Sequence, residues 1–500
     1  MSYSVPASYV AAASPQVAVP SMLNSDPLLQ FKGSRSVLKY IPSSSGTYLG
    51  PAASAIFQIP MSAYGFIKPN SMYLRCKYEV TGTSDPAATW MFAGQNGVAG
   101  SANMPLASLV GKTLNAGQVT AGGQGTGLVT IGSITPAGAL PVTTVAGVRL
   151  DTPTDVVSGS GSASSVIQRL TVQLPGGVSM SYPQYNHFRN AILPHALSYD
   201  FITNDLRQLE HATWLRSKNT LANYGVDGQG YVAIPLNIPV FNSPQAFPLC
   251  SIAGGITIEL VTETAALALF SSNADAGMSY RLSEMALVYE ELVVSPEFKE
   301  AIKEQILQRP YTIGVSDVTY LGVVPSQPSR TNIGVGLTSL KGVVGAHQLQ
   351  VTGVDIPKKY VLNSIDQFNV YINGSQVTPS NLDSDAMQFA EFTRALQVYT
   401  DAKIPSYLPP IASVNGSTVR NAYGAGQYAF GITTAAYDDA AFALAGVPAD
   451  QIQIELQNNQ DNAAKQQDLT ANVATALCYL WALHDSVVRV MPDGTCSVQK

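Results

Sequence analysis

Two five-residue stretches far apart in this 500-residue chain carry the same alternation: ITIEL at 256–260 and IQIEL at 452–456. An apolar residue at every second position puts one row of side chains on each face of an extended strand, so both stretches predict half-buried β-strands. The same period of two runs through AIFQIP, LTVQLP, MALVYEELVV, YVLNSIDQFNVYI and SVVRVM, with Gly, Pro and Asn between the runs. Short alternating strands punctuated in this way predict an all-β chain built from antiparallel sandwiches.

The repetition extends beyond one strand. With ITIEL set on IQIEL, Ala286-Leu287 falls on Ala482-Leu483, Val294 on Val490 and Pro296 on Pro492. Upstream of the first stretch lies YVAIPLNIPVFNSPQAFPL (231–249) and upstream of the second YAFGITTAAYDDAAFALAGV (428–447), each an extended start followed by Phe-x-Leu. Further back, Tyr185, Phe188 and Ile192 share their spacing with Phe389, Phe392 and Leu396, the spacing by which a short helix presents one apolar face. Pro194 is expected to stop the first of these helices early. A third pair, NSMYLRCKYEVTG (70–82) and NSIDQFNVYING (363–374), reads as equivalent strands near the start of each half.

Measured between these landmarks, the first half carries many more residues than the second, which predicts an insertion. Residues 91–165 supply it: AGQNGVAGSANM, AGQVTAGGQGTG and VSGSGSASS are nearly free of charge, with short Val, Thr and Ile runs that predict small strands within a loop-rich excursion. The strand pattern resumes after it at SVIQRLTVQL, which a flexible linker between two domains would not require.

Between the halves stands SPEFKEAIKEQILQRP, with Ser295 placed to cap, Pro296 in the first turn, Glu297 against the dipole and Phe298, Ile302 and Ile306 on one face. The expected fold is therefore all-β: two tandem eight-stranded antiparallel jelly rolls with short helices and a large loop insertion in the first. The expected layout is an extended N-terminal arm at 1–30, a first roll at 31–295 with its insertion at about 83–166, a linker helix at 296–310 and a second roll at 311–500.

Composition narrows the function. Charged residues are 12% of the chain against a usual ~25%, while Gly and Pro number 41 and 31, so the surface is built largely from uncharged polar groups. The formal charge is −6 and the first basic residue is Lys32, which argues against direct contact with nucleic acid. Pro6, Pro15 and Pro20 interrupt the N-terminal stretch, and the best apolar run, ATALCYLWAL, meets His484 and Asp485 after ten residues, short of a membrane span. Cys76, Cys250, Cys478 and Cys496 lie too far apart for a zinc motif or a disulfide framework.

No catalytic, cofactor or metal residues are assigned. GKT at 111–113 lacks the partner glycine of a phosphate loop, Leu106 standing in its place, and AGGQGTG lacks the strand-turn-helix setting of a dinucleotide site. His187, His195, His211, His347 and His484 show no metal-ligand spacing. Glu290-Glu291, Asp383 with Asp385, and Asp438-Asp439 read as solvated loop or edge carboxylates unless two face each other across a cleft. Asn373-Gly374 and Asn415-Gly416 read as turns, although each opens a glycosylation pattern.

GTYLGP (46–51), AIFQIP (55–60) and GFIKPNSMYL (65–74), followed by YVAIPL with AFPL and then MALVYEEL, resemble the double jelly-roll major capsid proteins of tailless icosahedral double-stranded DNA viruses, most closely the virophage, polinton-like and giant-virus-related group. The resemblance spans nearly the whole chain through strand order and spacing. It implies a structural subunit, not an enzyme and without cofactor, that self-assembles into a homotrimeric, pseudo-hexameric capsomer tiling an icosahedral shell. It further implies neighbouring capsomers, penton and minor capsid proteins as partners, an inner membrane or protein layer beneath, and a place in the virion after synthesis in the host cytoplasm or virus factory. A duplicated domain gives a trimer six similar sides, which is what a hexagonal lattice needs. The competing readings are a minor capsid protein and a β-sandwich glycan-binding adhesin; the adhesin reading expects aromatic residues on the Gly-rich loops, where 91–165 holds only Phe92.

Overall fold

In a computed structural model of the chain, residues 35–46, 48–81, 90–92, 113–115, 119–121, 128–131, 142–144, 156–158, 163–196, 207–210, 229–271, 279–325, 329–349, 365–378, 385–397, 429–435, 446–458 and 476–500 are described. The expected N-terminal arm at 1–30 lies outside them.

Eight strands make the first roll: β1 (Arg35–Pro42), β2 (Ser54–Ile59), β3 (Tyr73–Thr81), β4 (Ile167–Leu174), β5 (Val178–Pro183), β6 (Gln229–Pro235), β7 (Ile256–Thr262) and β8 (Ser279–Val293). One sheet runs β6-β3-β8 with β1 on the far side of β8, and the other runs β5-β4-β7-β2. The pairs nest: β1 with β8, β2 with β7, β3 with β6 and β4 with β5, all antiparallel. That is one long hairpin rolled on itself, the connectivity of a jelly roll.

The second roll repeats the nest with one economy of chain. Its strands are β9 (Tyr311–Pro325), β10 (Ser329–Leu349), β11 (Ile365–Ile372), β12 (Ser375–Gln376), β13 (Phe430–Thr433), β14 (Val447–Asn458), β15 (Ala476–Val490) and β16 (Cys496–Gln499). Here β9 pairs β15, the first part of β10 pairs β14, the last part of β10 pairs both β13 and β15, and β11 pairs β12. β10 thus does the work of β2 and β3 in one strand, turning from one sheet into the other where its register shifts between Gly334 and Gly342. Gly342 suits that corner, since a Cβ there would lie 2.7 Å from the carbonyl oxygen of Ile432.

ITIEL and IQIEL occupy β7 and β14, the same place in the two nests, with Ile256, Ile258 and Leu260 and with Ile452, Ile454 and Leu456 buried. β6 and β13 are likewise equivalent. The pairing corrects the third correspondence. Residues 70–82 form β3, bonded to β6 and β8, whereas residues 363–374 contain β11, bonded to β12 and β14. The counterpart of β3 is the last part of β10. Alternation and a closing glycine are local signals, and they carry no information about which strand lies alongside.

With equivalence set by pairing, the extra chain of the first roll lies between β3 and β4, at 82–166 against 350–364 in the second. Short strands occur in it at Trp90–Phe92, Thr113–Asn115, Val119–Ala121, Leu128–Ile131, Val142–Thr144 and Val156–Ser158, paired among themselves except the last, which pairs with Leu269–Ser271.

The linker helix, α1 (Pro296–Gln308), is capped by the Ser295 hydroxyl, which accepts from the Phe298 amide at 3.3 Å, and it buries Ile302 and Ile306. α2 (Asp385–Gln397) buries Phe392 and Leu396 as its spacing predicts. The segment at 185–196 is helical in a different way. It has one α turn at Tyr185–His187, widens to a π turn at Phe188–Ile192, and tightens to 3-10 at Leu193–Ala196. Pro194 therefore does not stop it; the helix changes pitch around a residue that cannot donate. Asn373 and Gly374, with φ of 49° and 83°, make the two-residue turn between β11 and β12, and Asn415-Gly416 lies outside the described residues.

Candidate assembly surfaces

The two rolls meet through one continuous core. The outward face of the β9-β15-β10 sheet presents Val318, Tyr320, Tyr479 and Trp481, and the first roll lays its 182–196 segment across them. His187 stacks on Tyr479 with ring centroids 4.2 Å apart, Phe188 meets Trp481 edge-on at 5.6 Å, and His195 meets Phe392 of α2 at 5.0 Å. Every described side chain from Tyr185 to Leu193 is buried, because one side of the segment packs on its own roll and the other on the neighbour.

Backbone contacts reinforce the junction. The Cys496 amide donates to Pro175 O at 2.7 Å and the Ala253 amide to Gly494 O at 2.8 Å, while Ser243 Oγ donates to Gly314 O at 2.8 Å and Tyr311 Oη to Ala246 O at 3.1 Å. At two points of the junction a glycine sits where a side chain would not fit. Gly494, at φ 79°, would set a Cβ 2.5 Å from the Ala253 nitrogen, and Gly176, at φ 95°, would set one 3.0 Å from Cys496 O.

Two buried ion pairs stiffen the parts that carry the junction. Arg189 pairs with Glu210, and attraction to that carboxylate raises the Arg189 pKa against an opposing burial effect that is the largest single influence. In the second roll, Lys341 Nζ lies 2.6 Å from Asp485 Oδ1 and donates to Ser316 Oγ at 3.3 Å, while Ser339 Oγ donates to Asp485 Oδ2 at 2.9 Å. Lys341 and Asp485 are 1% and 3% exposed, so their attraction acts in a low-dielectric setting. Behind them, Asp317 accepts from Ser486 Oγ at 3.1 Å, and His484 lies 2.9 Å from Thr319 Oγ1; burial lowers the His484 pKa.

Among the described residues, the matching outward face of the first roll carries exposed aromatic rings. Row by row, Tyr40 on β1 sits beside Val288 on β8 and Tyr73 on β3, and Arg75 on β3 sits beside Ala233 on β6, with its guanidinium 5.1 Å over the Tyr231 ring. Tyr40, Tyr48 and Tyr231 are 56%, 60% and 52% exposed. Arg281 lies 4.6 Å over Tyr48, and Tyr231 Oη donates to Glu284 at 2.8 Å, a bond that raises the phenol's pKa.

The histidines and carboxylates considered from sequence are not brought together. His187 and His195 belong to the roll junction. His347 is buried against Phe430 with neither ring nitrogen hydrogen-bonded, and burial pushes its pKa down to about 3. Glu290 binds Lys68 at 2.6 Å and Ser36 at 2.8 Å, and those hydrogen bonds lower its pKa; Glu291 pairs with Lys39 at 3.3 Å and accepts from Ser62. Asp385 opens α2, while Asp383, Asp438, Asp439 and His211 lie outside the described residues. Among the described residues no group of three or more His, Cys, Asp or Glu side chains could hold a metal. An open cleft of about 330 Å³ beside α2 is lined by one carboxylate, Glu391, which Arg394 binds at 2.9 Å, so it offers no opposed pair. Among the described residues no helix is long and apolar enough to cross a membrane.

The junction was missed in the sequence, yet a signal for it was present. ATALCYLWAL is a run without alternation, and a strand apolar at consecutive positions is one buried on both faces. In β15, Cys478, Leu480 and Ala482 fill the roll, while Tyr479 and Trp481 meet the other roll.

No family model and no curated protein matches the sequence. Solved structures do match. A cryo-EM structure of the Sputnik virophage aligns with a TM-score of 0.54 over 93% of this chain and 88% of that one, at 10% identity. The PBCV-1 virus capsid gives 0.53 over 93% and 97%, and the Faustovirus major capsid protein 0.52 over 91% and 90%, each also at 10% identity. Likeness at this identity is likeness of fold, and it extends over both rolls.

Proposed function

We propose that this chain, which has the double jelly-roll fold seen in those viral capsids, is itself a major capsid protein, a structural subunit of an icosahedral virus shell located in the virion. The observation that carries the reading is the duplicated nest of strands in one chain, with the first roll's helical segment laid across the second roll's sheet. Two like rolls side by side give a subunit with two similar flanks, and three such subunits close a ring of six similar sides. The capsomer is therefore a homotrimer with a pseudo-hexagonal outline, and it neighbours other capsomers, penton proteins and minor capsid proteins. Its role is assembly, without enzymatic activity or direct binding of nucleic acid.

In this reading residues 31–295 and 311–500 are the two upright rolls and 296–310 the linker. The insertion at about 83–166 forms the outer tower, and the arm at 1–30 faces the inner layer. Negative-stain electron microscopy of the purified chain tests it. Particles of uniform size with hexagonal outlines are expected; small globular particles without them would overturn it.

A further inference from the structure

In each roll the second strand of the nest forms a sheet edge, and the two edges are finished differently. In the first roll it is β2, and residues 43–45 close on it. The Ser44 amide donates to Ile56 O at 2.9 Å and the Ile56 amide to Ser45 Oγ at 2.8 Å, while Pro51 and Pro60 flank the strand. In the second roll it is the first part of β10, bonded to β14 on one side. Among the described residues no backbone group from 330 to 337 has a hydrogen-bond partner on the other side; the next contact is the Thr338 amide, which donates to Lys500 O at 3.2 Å.

A row of unpaired N–H and C=O groups is a template for another strand, and proteins ordinarily blunt it with Pro, Lys or a covering segment. Residues 330–337, RTNIGVGL, contain neither Pro nor Lys, and Ile333 and Val335 are only half-buried against the core. Gly334 and Gly336 are a second observation. Neither takes a positive φ, and a Cβ on either would meet open space, so this chain's own fold makes no use of the missing side chains. The register shift that follows Gly334 falls at φ values any residue adopts. Glycine weakens a strand, and it stands in one where another backbone comes close.

We propose that this edge of β10 accepts an added strand from residues 7–14 of another copy of the chain. That stretch, ASYVAAAS, matches the open edge in length at eight residues, carries no charge, and holds Tyr9 and Val10, which favour a strand. Pro6 and Pro15 bound it, and since proline cannot donate, pairing stops at both. Tyr9 supplies a ring to lie over the side-chain-free stretch at Gly334 and Gly336. The edge belongs to the sheet of the second roll that is not under the first roll, whereas the arm enters the first roll at Arg35, which favours the arm of a neighbour. The twenty residues from 15 to 34 extend over up to about 65 Å, against about 40 Å across a roll of this size, so the reach suffices. Main-chain hydrogen bonds supply the affinity of such a link. The inference rests on the reading of the chain as an assembling subunit and adds to it a strand passed between copies.

The test places the photo-crosslinker p-benzoylphenylalanine at position 9 of the full-length chain and co-expresses it with a chain lacking residues 1–20, so that a link between copies has its own mass. The expected product joins one full-length and one shortened chain, and mass spectrometry maps the link to residues 329–338. A link to any other stretch, or one confined to the chain that carries the probe, would overturn the proposal. A second variant blocks the edge. Arg330 stands opposite Glu455 as Ile56 stands opposite Glu259, so the amide of Asn332, two residues on, points away from β14 as that of Ile56 points away from β7. Asn332→Pro therefore removes an outward donor and spares the ladder, and it is expected to abolish the link with the near-ultraviolet circular dichroism unchanged. A link that survives in that variant would also overturn the proposal. Should the variant fail to fold, the mapped link decides. A monomeric chain without a link removes the trimeric reading and this one together, whereas a multimer without it removes this proposal alone.

Discussion

His187 of the first roll lies flat against Tyr479 of the second, the rings 4.2 Å apart and inclined by 22°. Beside them Phe188 meets Trp481, so two aromatic contacts bind a helical segment of one roll to the sheet of the other. Trp481 is among the largest fully buried side chains, and its truncation leaves a cavity under that segment. Trp481→Ala is expected to cost about 3–5 kcal/mol in denaturant unfolding. A double-mutant cycle on His187→Ala and Tyr479→Ala should return a coupling of about 0.5–1.5 kcal/mol; additive losses would mean that the stack is incidental.

Lys341 and Asp485 test the electrostatics of the second roll. Removing one partner strands the other charge in the interior, so Lys341→Met should lose about 3–5 kcal/mol. The double variant Lys341→Met with Asp485→Leu should recover most of that loss. If the single and double variants are equally unstable by urea titration, the cost comes from packing and not from an uncompensated charge.

His347 gives the chain a pH-dependent term whose sign follows from burial. Its pKa in the folded chain is about 3, below the 6.5 of the free side chain, so between those values the unfolded state binds a proton that the native state refuses. The term is absent above pH 6.5, and stability falls by up to about 1.4 kcal/mol per pH unit as the pH drops below it. His347→Leu should flatten the decline between pH 6 and pH 4, measured as unfolding free energies in urea. Part of the slope should persist through His484, whose pKa burial also lowers. Parallel curves for the two proteins would contradict the assignment.

Gly494 tests the main-chain approach between the rolls. An alanine there must hold φ near 79° and press its methyl group on the Ala253 backbone. Gly494→Ala is expected to lower the melting temperature measurably, whereas Gly177→Ala, at a similar φ of 80° with open space around it, should cost only the backbone strain. Equal losses would show that the close approach does not matter.

Much of this architecture was legible in the sequence because local chemistry coincided with the tertiary need. In β7 and β14 alternation matched burial residue by residue, and Ser295, Pro296 and the 298/302/306 face announced α1. Two features were not legible. The run from Ser329 to Leu349 contains Gly334, Gly336 and Gly342, residues that by composition mark local breaks, yet one strand runs through them and turns from sheet to sheet where its register shifts, with Gly342 close against Ile432 O. The stretches at 70–82 and 363–374 share a pattern but not a place, since hydrogen-bond partners are chosen by the whole nest. The aromatic face around Tyr231 was hidden for the same reason. Tyr40, Tyr73 and Tyr231 are far apart in sequence and become one surface only when β1, β8, β3 and β6 lie side by side.

The native mass of the purified chain, measured by light scattering after gel filtration, tests the central claim most directly. A single species of three times the 52.8 kDa chain mass is the result this account predicts. A monodisperse species of one chain mass, stable across concentration, would contradict it.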